Sequence, residues 1–305
     1  MKRKTFLSLR QFSVLTLVLT LGLAPSTIAQ SRLPRLLSWE STLKGQDQET
    51  LRWPVAVAEG PAGELAVADA FRKKIFFFKD SGVSWTQGEA VDLEASPLDI
   101  ARDGERYVIS LRGEALLVAL DIPRRQLRHL ALPAGVIPGS LASMPGGGVL
   151  LQDLATGDIL TLSPQGSVWV KVKAVAMDIG DLAATAGGGF VATFPTAGEV
   201  RRFDALGTEN ARWAVPRTGP VPAWPVGVSL APSGDITIAD RHGQRLVSFD
   251  NSGRPRGIGS RGGWVAGLLR HPSRLVRLND GRIAVVDQGN GRLQIFKEAA
   301  SESGP

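Results

Sequence analysis

Five residues have the side chains and spacing to do chemistry. Asp178 and Asp181 stand three apart, His271 and Arg274 stand three apart, and Asp99 lies upstream of both pairs. Carboxylates joined by an imidazole suit a hard divalent cation such as calcium, or proton transfer, and a guanidinium beside them could hold an anionic group. Trp53 and Trp224 each precede a proline and could offer a flat apolar surface to a sugar ring or a peptide. These residues are far apart in the chain, so any joint role depends on the elements that carry them.

Those elements repeat. Trp53-Pro54-Val55-Ala56-Val57 is followed by Gly63 to Asp69 and then by Lys74 to Gly82, and the same order returns from Trp224 through Gly234 to Asp240 and Arg245 to Gly253. A third copy runs from His271-Pro272 through Gly281 to Asp287 and on to Phe296, and weaker copies begin at Ser96-Pro97, Ile137-Pro138 and Asp178-Ile179. The anchors Pro54, Pro97, Pro138, Ile179, Pro225 and Pro272 give spacings of 43, 41, 41, 46 and 47 residues. A period of this size marks a repeat architecture, and it matches one propeller blade.

Within each copy, short runs of β-favouring residues are divided by Gly, Asp, Ser and Pro, the pattern of antiparallel strands joined by tight turns. Long amphipathic helices are missing from the repeats. The sequence therefore predicts an all-β, six-bladed β-propeller of four-stranded antiparallel blades. Trp85, Trp169 and Trp213, at 31, 31 and 34 residues after their anchors, mark fourth strands. The last copy has only three strands, and Leu36-Leu37-Ser38-Trp39 is free to supply its outer strand and close the ring.

The copies resemble the NHL repeat, which reads Pro-x-Gly-Val-Ala, then Gly-x-Leu-x-Val-Ala-Asp, then Asn-x-Arg-Ile-x-Phe. The resemblance spans nearly all of residues 35 to 297 and is strongest from Trp224 to Phe249 and from Pro272 to Phe296. It implies a propeller that serves either as a binding platform or as an enzyme, the latter including lyases and lactonases that hold a metal in the central channel. The Asp followed by a base five residues later, as in Asp69 and Lys74, Asp240 and Arg245, and Asp287 and Arg292, is expected to tie down a hairpin.

Stacking the six innermost strands puts Trp53, Ser96, Ile137, Asp178, Trp224 and His271 in one ring. Ala56, Asp99, Ser140, Asp181, Gly227 and Arg274 form a second, and both are expected near one mouth of the channel. Asp99, Asp178, Asp181, His271 and Arg274 are thus candidate ligand-binding residues. The alternative is a mutually neutralising lining in which Arg274 faces an Asp, with Trp53 and Trp224 packed between blades. Only two other histidines exist: His242 falls in a turn and His129 in an outer strand, so a zinc site of the amidating-lyase kind is not expected.

Gly146 to Gly148 and Gly187 to Gly189 fall where turns are due and lack the strand-then-helix setting of a phosphate loop. The stretch from Arg254 to Trp264 is the least repeat-like. Arg254, Arg256, Arg261, Trp264 and Arg270 make it a candidate contact for an acidic partner protein or glycan, against the alternative of a solvated loop.

Met1-Lys2-Arg3-Lys4, an apolar run from Phe12 to Ala24, and the small residues Thr27 and Ala29 have the layout of a secretory signal peptide over residues 1–29. A mature propeller over 30–298 is then expected in the periplasm or outside the cell, followed by a disordered tail over 299–305. An uncleaved anchor is the other reading of that apolar run, which is short for a membrane span. The chain has no Cys, which excludes disulfides, c-type haem attachment and an N-terminal lipid anchor. Of its 35 basic residues, Lys2, Arg3, Lys4 and Arg10 leave with the signal peptide. The remaining 31 face 29 acidic residues, for a net charge of about +2, which argues against nucleic acid.

Two functions fit. One is a non-enzymatic scaffold, a monomeric fold unit that binds an envelope or secreted protein or a glycan, with no cofactor expected. The other is a lactonase-like hydrolase or lyase using a divalent cation held by Asp99, Asp178 or Asp181.

Overall fold

The strand Leu65–Asp69, all five residues of it buried, shows why the repeats assemble as they do. A strand apolar on both faces cannot face water on either, so its sheet must be covered by another on each side. The equivalent strands Val149–Asp153, Phe190–Phe194, Ile236–Asp240 and Ile283–Asp287 are buried throughout in the same way. Radial sheets in a ring satisfy this requirement.

The computed structural model describes residues 33–46, 48–173 and 175–299. It is all-β, with six blades of four antiparallel strands each. Blade one is built from Pro54–Glu59, Leu65–Asp69, Lys74–Asp80 and Trp85–Gln87, with the short Val91–Asp92 also pairing to its third strand. The innermost strands of blades two to six are Pro97–Asp103, Pro138–Ser143, Asp181–Ala184, Pro225–Leu230 and Pro272–Arg277. Apolar clusters fill the spaces between successive blades, such as Phe77 against Tyr107 and Ile109 between blades one and two, or Phe76 against Val286 and Leu293 between blades six and one.

The ring closes as the sequence predicts. Leu37–Leu43 pairs antiparallel with Arg292–Glu298 as the outer strand of blade six, and Ala299 N–H donates to Leu36 O at 2.7 Å. Trp85, Trp169 and Trp213 all lie on fourth strands. The signal-peptide segment 1–29 and the tail from 300 onward lie outside the described residues. Among the described residues, no helix is long and apolar enough to cross a membrane.

One boundary needs correction. Pro255–Ile258 is the fourth strand of blade five, paired with Arg245–Phe249, so only the chain from 259 to 271 is an excursion from the repeat. Its Pro, Arg and Gly content hides the strand from propensity reasoning.

The ladder register slips just after the anchor in blades one, two, three, five and six, between Pro54 and Ala56, Pro97 and Asp99, Pro138 and Leu141, Pro225 and Gly227, and Pro272 and Leu275. A bulge at this point re-aims the side chain that follows it. In blades two and six the residue two beyond the anchor is charged, Asp99 and Arg274, and lines the channel.

Candidate functional site

The channel is crossed by three charged side chains from alternate blades. Asp99 of blade two, Asp181 of blade four and Arg274 of blade six occupy the position two after their anchors. The intervening blades place the small residues Ala56, Ser140 and Gly227 there. Small side chains leave room for a long one. At Gly227 an added Cβ would lie 3.1 Å from Arg274 Cα and 2.9 Å from a Leu275 methyl carbon, so only glycine lets blade six approach this closely.

Arg274 Nη2 lies 3.3 Å from Asp99 Oδ2 and Arg274 Nε lies 3.4 Å from Asp181 Oδ1. The guanidinium also donates to Ser140 Oγ at 3.0 Å and to Val226 O at 2.7 Å. Each carboxylate is further engaged by backbone amides of two blades. Asp99 accepts from Ile100 and Leu141, and Asp181 from Leu182 and Val228, all at 2.9 Å. The set therefore locks blade two to three, four to five, and six to both, and the sequence alternative of Arg274 facing an Asp is the arrangement present, with two Asp rather than one. Burial pushes the Asp181 carboxyl up to about 7, against the pull of Arg274 and with the help of Asp99.

A cavity of about 620 Å³ extends from this layer away from the anchors, past Glu59, Arg102 and Arg277 toward turn residues Gly146, Gly147 and Asn279. Burial also raises the pKa of Glu59, whose carboxylate accepts from Asn279 N–H. A divalent cation fits this floor poorly. It needs several open oxygen ligands, whereas both aspartates are committed to Arg274 and to amides. Among the described residues, no three His, Asp or Glu side chains converge on a common point.

The other sequence-predicted residues gather on the opposite face, where the anchors lie. Asp178 is exposed there and makes no side-chain bond to Asp99, Asp181 or Arg274. His271 is also exposed, at a left-handed φ of 47°, and its pKa is lowered by partial burial and by Arg241 and Arg270. Trp53 is 47 % exposed, whereas Trp224 is half-buried and stacks on the His242 ring at 5.0 Å. Of the candidate partner loop, Arg261, Trp264 and Arg270 lie on this face. Arg254 and Arg256 flank and enter the outer strand of blade five, where Arg256 pairs with Asp235 at 2.7 Å.

The repeat aspartates organise this face. Asp240 and Asp287 do pair with Arg245 and Arg292, at 3.1 and 2.6 Å, buried. Asp69 does not pair with Lys74. Its carboxylate accepts from the amides of Arg52, Trp53, Phe71 and Arg72, and Lys74 reaches Glu49 and Asp92 instead. Sequence reasoning missed Phe71, Arg112 and Arg241, which lie in the turn after the second strand of their blades; that shared turn position is the signal that could have found them.

Comparison with solved structures returns propellers. Similar chains include a virginiamycin B lyase from Staphylococcus aureus, at 11% identity over 88% of this chain and 90% of that one, with a TM-score of 0.59. A streptogramin B lyase is 12% identical over 87% and 98%, TM-score 0.62, and a proposed gluconolactonase is 13% identical over 88% and 97%, TM-score 0.66. The fold is shared. No family model matches the chain, and no curated protein matches it in sequence. Identity this low carries architecture and not reaction, so any function has to be argued from the residues above.

Proposed function

We propose that this chain is an exported NHL-type propeller that acts as a non-enzymatic binding scaffold for a protein or polysaccharide at the cell envelope. The observation that carries the reading is Arg274 lodged between Asp99 and Asp181. A lactonase-like mechanism needs carboxylates open to a cation or to substrate, and here they serve as bolts between blades. Export rests on the signal-peptide layout of residues 1–29.

The test is metal content of the purified protein by mass spectrometry, paired with calcium and EDTA melting scans and a screen of lactone and streptogramin B-type substrates. The expected result is no stoichiometric ion, no melting shift and no turnover. A stoichiometric ion lost to EDTA, with a melting shift abolished in Asp99→Ala or Asp181→Ala, would replace the scaffold by the channel-centred enzyme. N-terminal sequencing of protein recovered from the envelope fraction tests export, with cleavage expected after Ala29.

A further inference from the structure

The near-neutral charge of the mature chain conceals a segregation. On the face away from the anchors, several arginines are matched by acids, Arg106 with Asp103, Arg256 with Asp235, and Arg282 with Glu40, Asp80 and Asp280, while Arg102 and Arg202 are held by backbone carbonyls. On the anchor face Arg245 and Arg292 are paired with the repeat aspartates, but a second set of arginines is not. Arg52, Arg112, Arg241, Arg261 and Arg270 have no carboxylate partner among the described residues, and all but the half-buried Arg241 are exposed. Partial loss of water lowers the Arg241 pKa, as expected of a cation without a counter-charge.

These residues share one face because of the fold. In four blades, the residue following the second strand donates its N–H to the carbonyl just before the anchor, Ala70 to Trp53, Arg112 to Ser96, Leu154 to Ile137 and Arg241 to Trp224. In blade six Gly289, within the short helix Gln288–Asn290, donates to Arg270 O two residues before the anchor. Anchor loops and turns therefore form one surface. The 259–271 excursion is fastened to it by Arg292, which donates to Val265 O and Leu268 O, and by Asn290, which donates to Gly263 O.

The same surface exposes apolar side chains between the cations: Trp53 47 %, Phe71 65 %, Ile137 42 %, Met177 57 %, Trp264 73 % and Val265 60 %. Arg52 lies over the Phe71 ring and Arg270 over Trp264, at 5.5 and 5.9 Å. Exposed Trp, Phe and Met beside Arg without a carboxylate partner is the composition of protein interfaces and of their energetic centres. Among the described residues the exposed acids of this face are Glu49, Glu89, Asp92, Glu94, Glu114 and Asp178. Glu49 and Asp92 pair with Lys74 and Glu94 with His129, and none of the six pairs with these five arginines. A sugar would use the aromatic rings but gain little from Ile137, Met177 and Val265, which favours a polypeptide.

We propose that the anchor face docks an acidic polypeptide segment carrying aromatic or aliphatic side chains. This deepens, and rests on, the scaffold reading. Unpaired guanidiniums supply the attraction and orientation, and the exposed Trp, Phe and Met side chains supply the desolvated contacts.

The experiment is biolayer interferometry of the purified protein against a random glutamate–tyrosine copolymer, with polyglutamate and polygalacturonate as comparison probes. The expected result is saturable binding to the copolymer, tighter than to either comparison probe. Arg52→Glu combined with Arg270→Glu should weaken it about tenfold or more, and Trp264→Ala should weaken it several-fold. Arg256→Glu, away from the face, should leave it unchanged. The fold uses the backbone N–H of Arg52 and Arg270, so these variants should melt with the parent, which separates lost binding from lost structure. Absence of saturable binding, or insensitivity to the face variants, would overturn the proposal. Tighter binding of polygalacturonate with the same variant dependence would overturn it in favour of a glycan. Neither result touches the metal and turnover tests, which judge the scaffold reading separately.

Discussion

Arg274 of blade six reaches Asp99 of blade two, with Nη2 3.3 Å from Oδ2, and so spans the inner end of the blade that separates them. With Asp181 3.4 Å from Nε, one cation serves two buried carboxylates. Removing it by Arg274→Ala leaves both uncompensated, and breaking a buried pair in this way costs about 3–5 kcal/mol. Urea unfolding at pH 7.5 should show that loss, with part of it recovered at pH 5, where Asp181 takes up a proton. A loss below about 1 kcal/mol would mean that the channel layer is solvated and not a bolt.

The raised Asp181 pKa has its own signature. The folded protein holds this proton up to about 7, whereas the unfolded chain releases it near the ordinary 3.8. Between those values the folded state binds more protons, so the stability tied to Asp181 is full below about pH 4 and declines as pH rises toward 7. Subtracting the profile of Asp181→Asn from that of the parent should leave a curve that falls through this window. A flat or rising difference would refute the assignment.

The repeat's basic residue should matter unequally. Arg292 is buried against Asp287 and holds two carbonyls of the 259–271 excursion, so Arg292→Ala should cost about 3–5 kcal/mol and speed tryptic cleavage at Arg261. Lys74 makes solvent-accessible pairs with Glu49 and Asp92, and Lys74→Ala should cost less than about 1 kcal/mol. Equal effects of the two substitutions would show that burial does not set their roles.

How far the sequence reaches depends on distance along the chain. The anchors were legible because inner strands share one register, and that register correctly put Asp99, Asp181 and Arg274 in a single layer. Which acid meets which base was not legible, because it depends on how far a guanidinium extends past small residues such as Ser140 and Gly227. Asp69 and Lys74 misled for a local reason: the amides of the preceding loop took the carboxylate, and Glu49, in the short hairpin Gly45–Gln46 and Glu49–Thr50 before blade one, took the ammonium. The basic anchor face was legible only in part: Arg261 and Arg270 stand in one segment, whereas Arg52, Arg112 and Arg241 come from separate loops that only the ring brings onto the same face.

Ring closure gives the last prediction. Leu37–Leu43 covers the edge of Arg292–Glu298, with Leu37 and Leu43 buried at 3 % and 5 %. A chain beginning at residue 44 would expose the ladder groups of that seven-residue strand, an edge that templates pairing with other copies. It should lose thermal stability and form larger species by light scattering, whereas a chain beginning at residue 30 should remain discrete. Adding a synthetic peptide of residues 35–44 to the truncated chain should restore the melting temperature, because the missing strand contributes through a defined register from Leu37 opposite Glu298 to Leu43 opposite Leu293. A scrambled peptide of the same composition should not. Equal rescue by both would mean that apolar cover, rather than strand pairing, closes the ring.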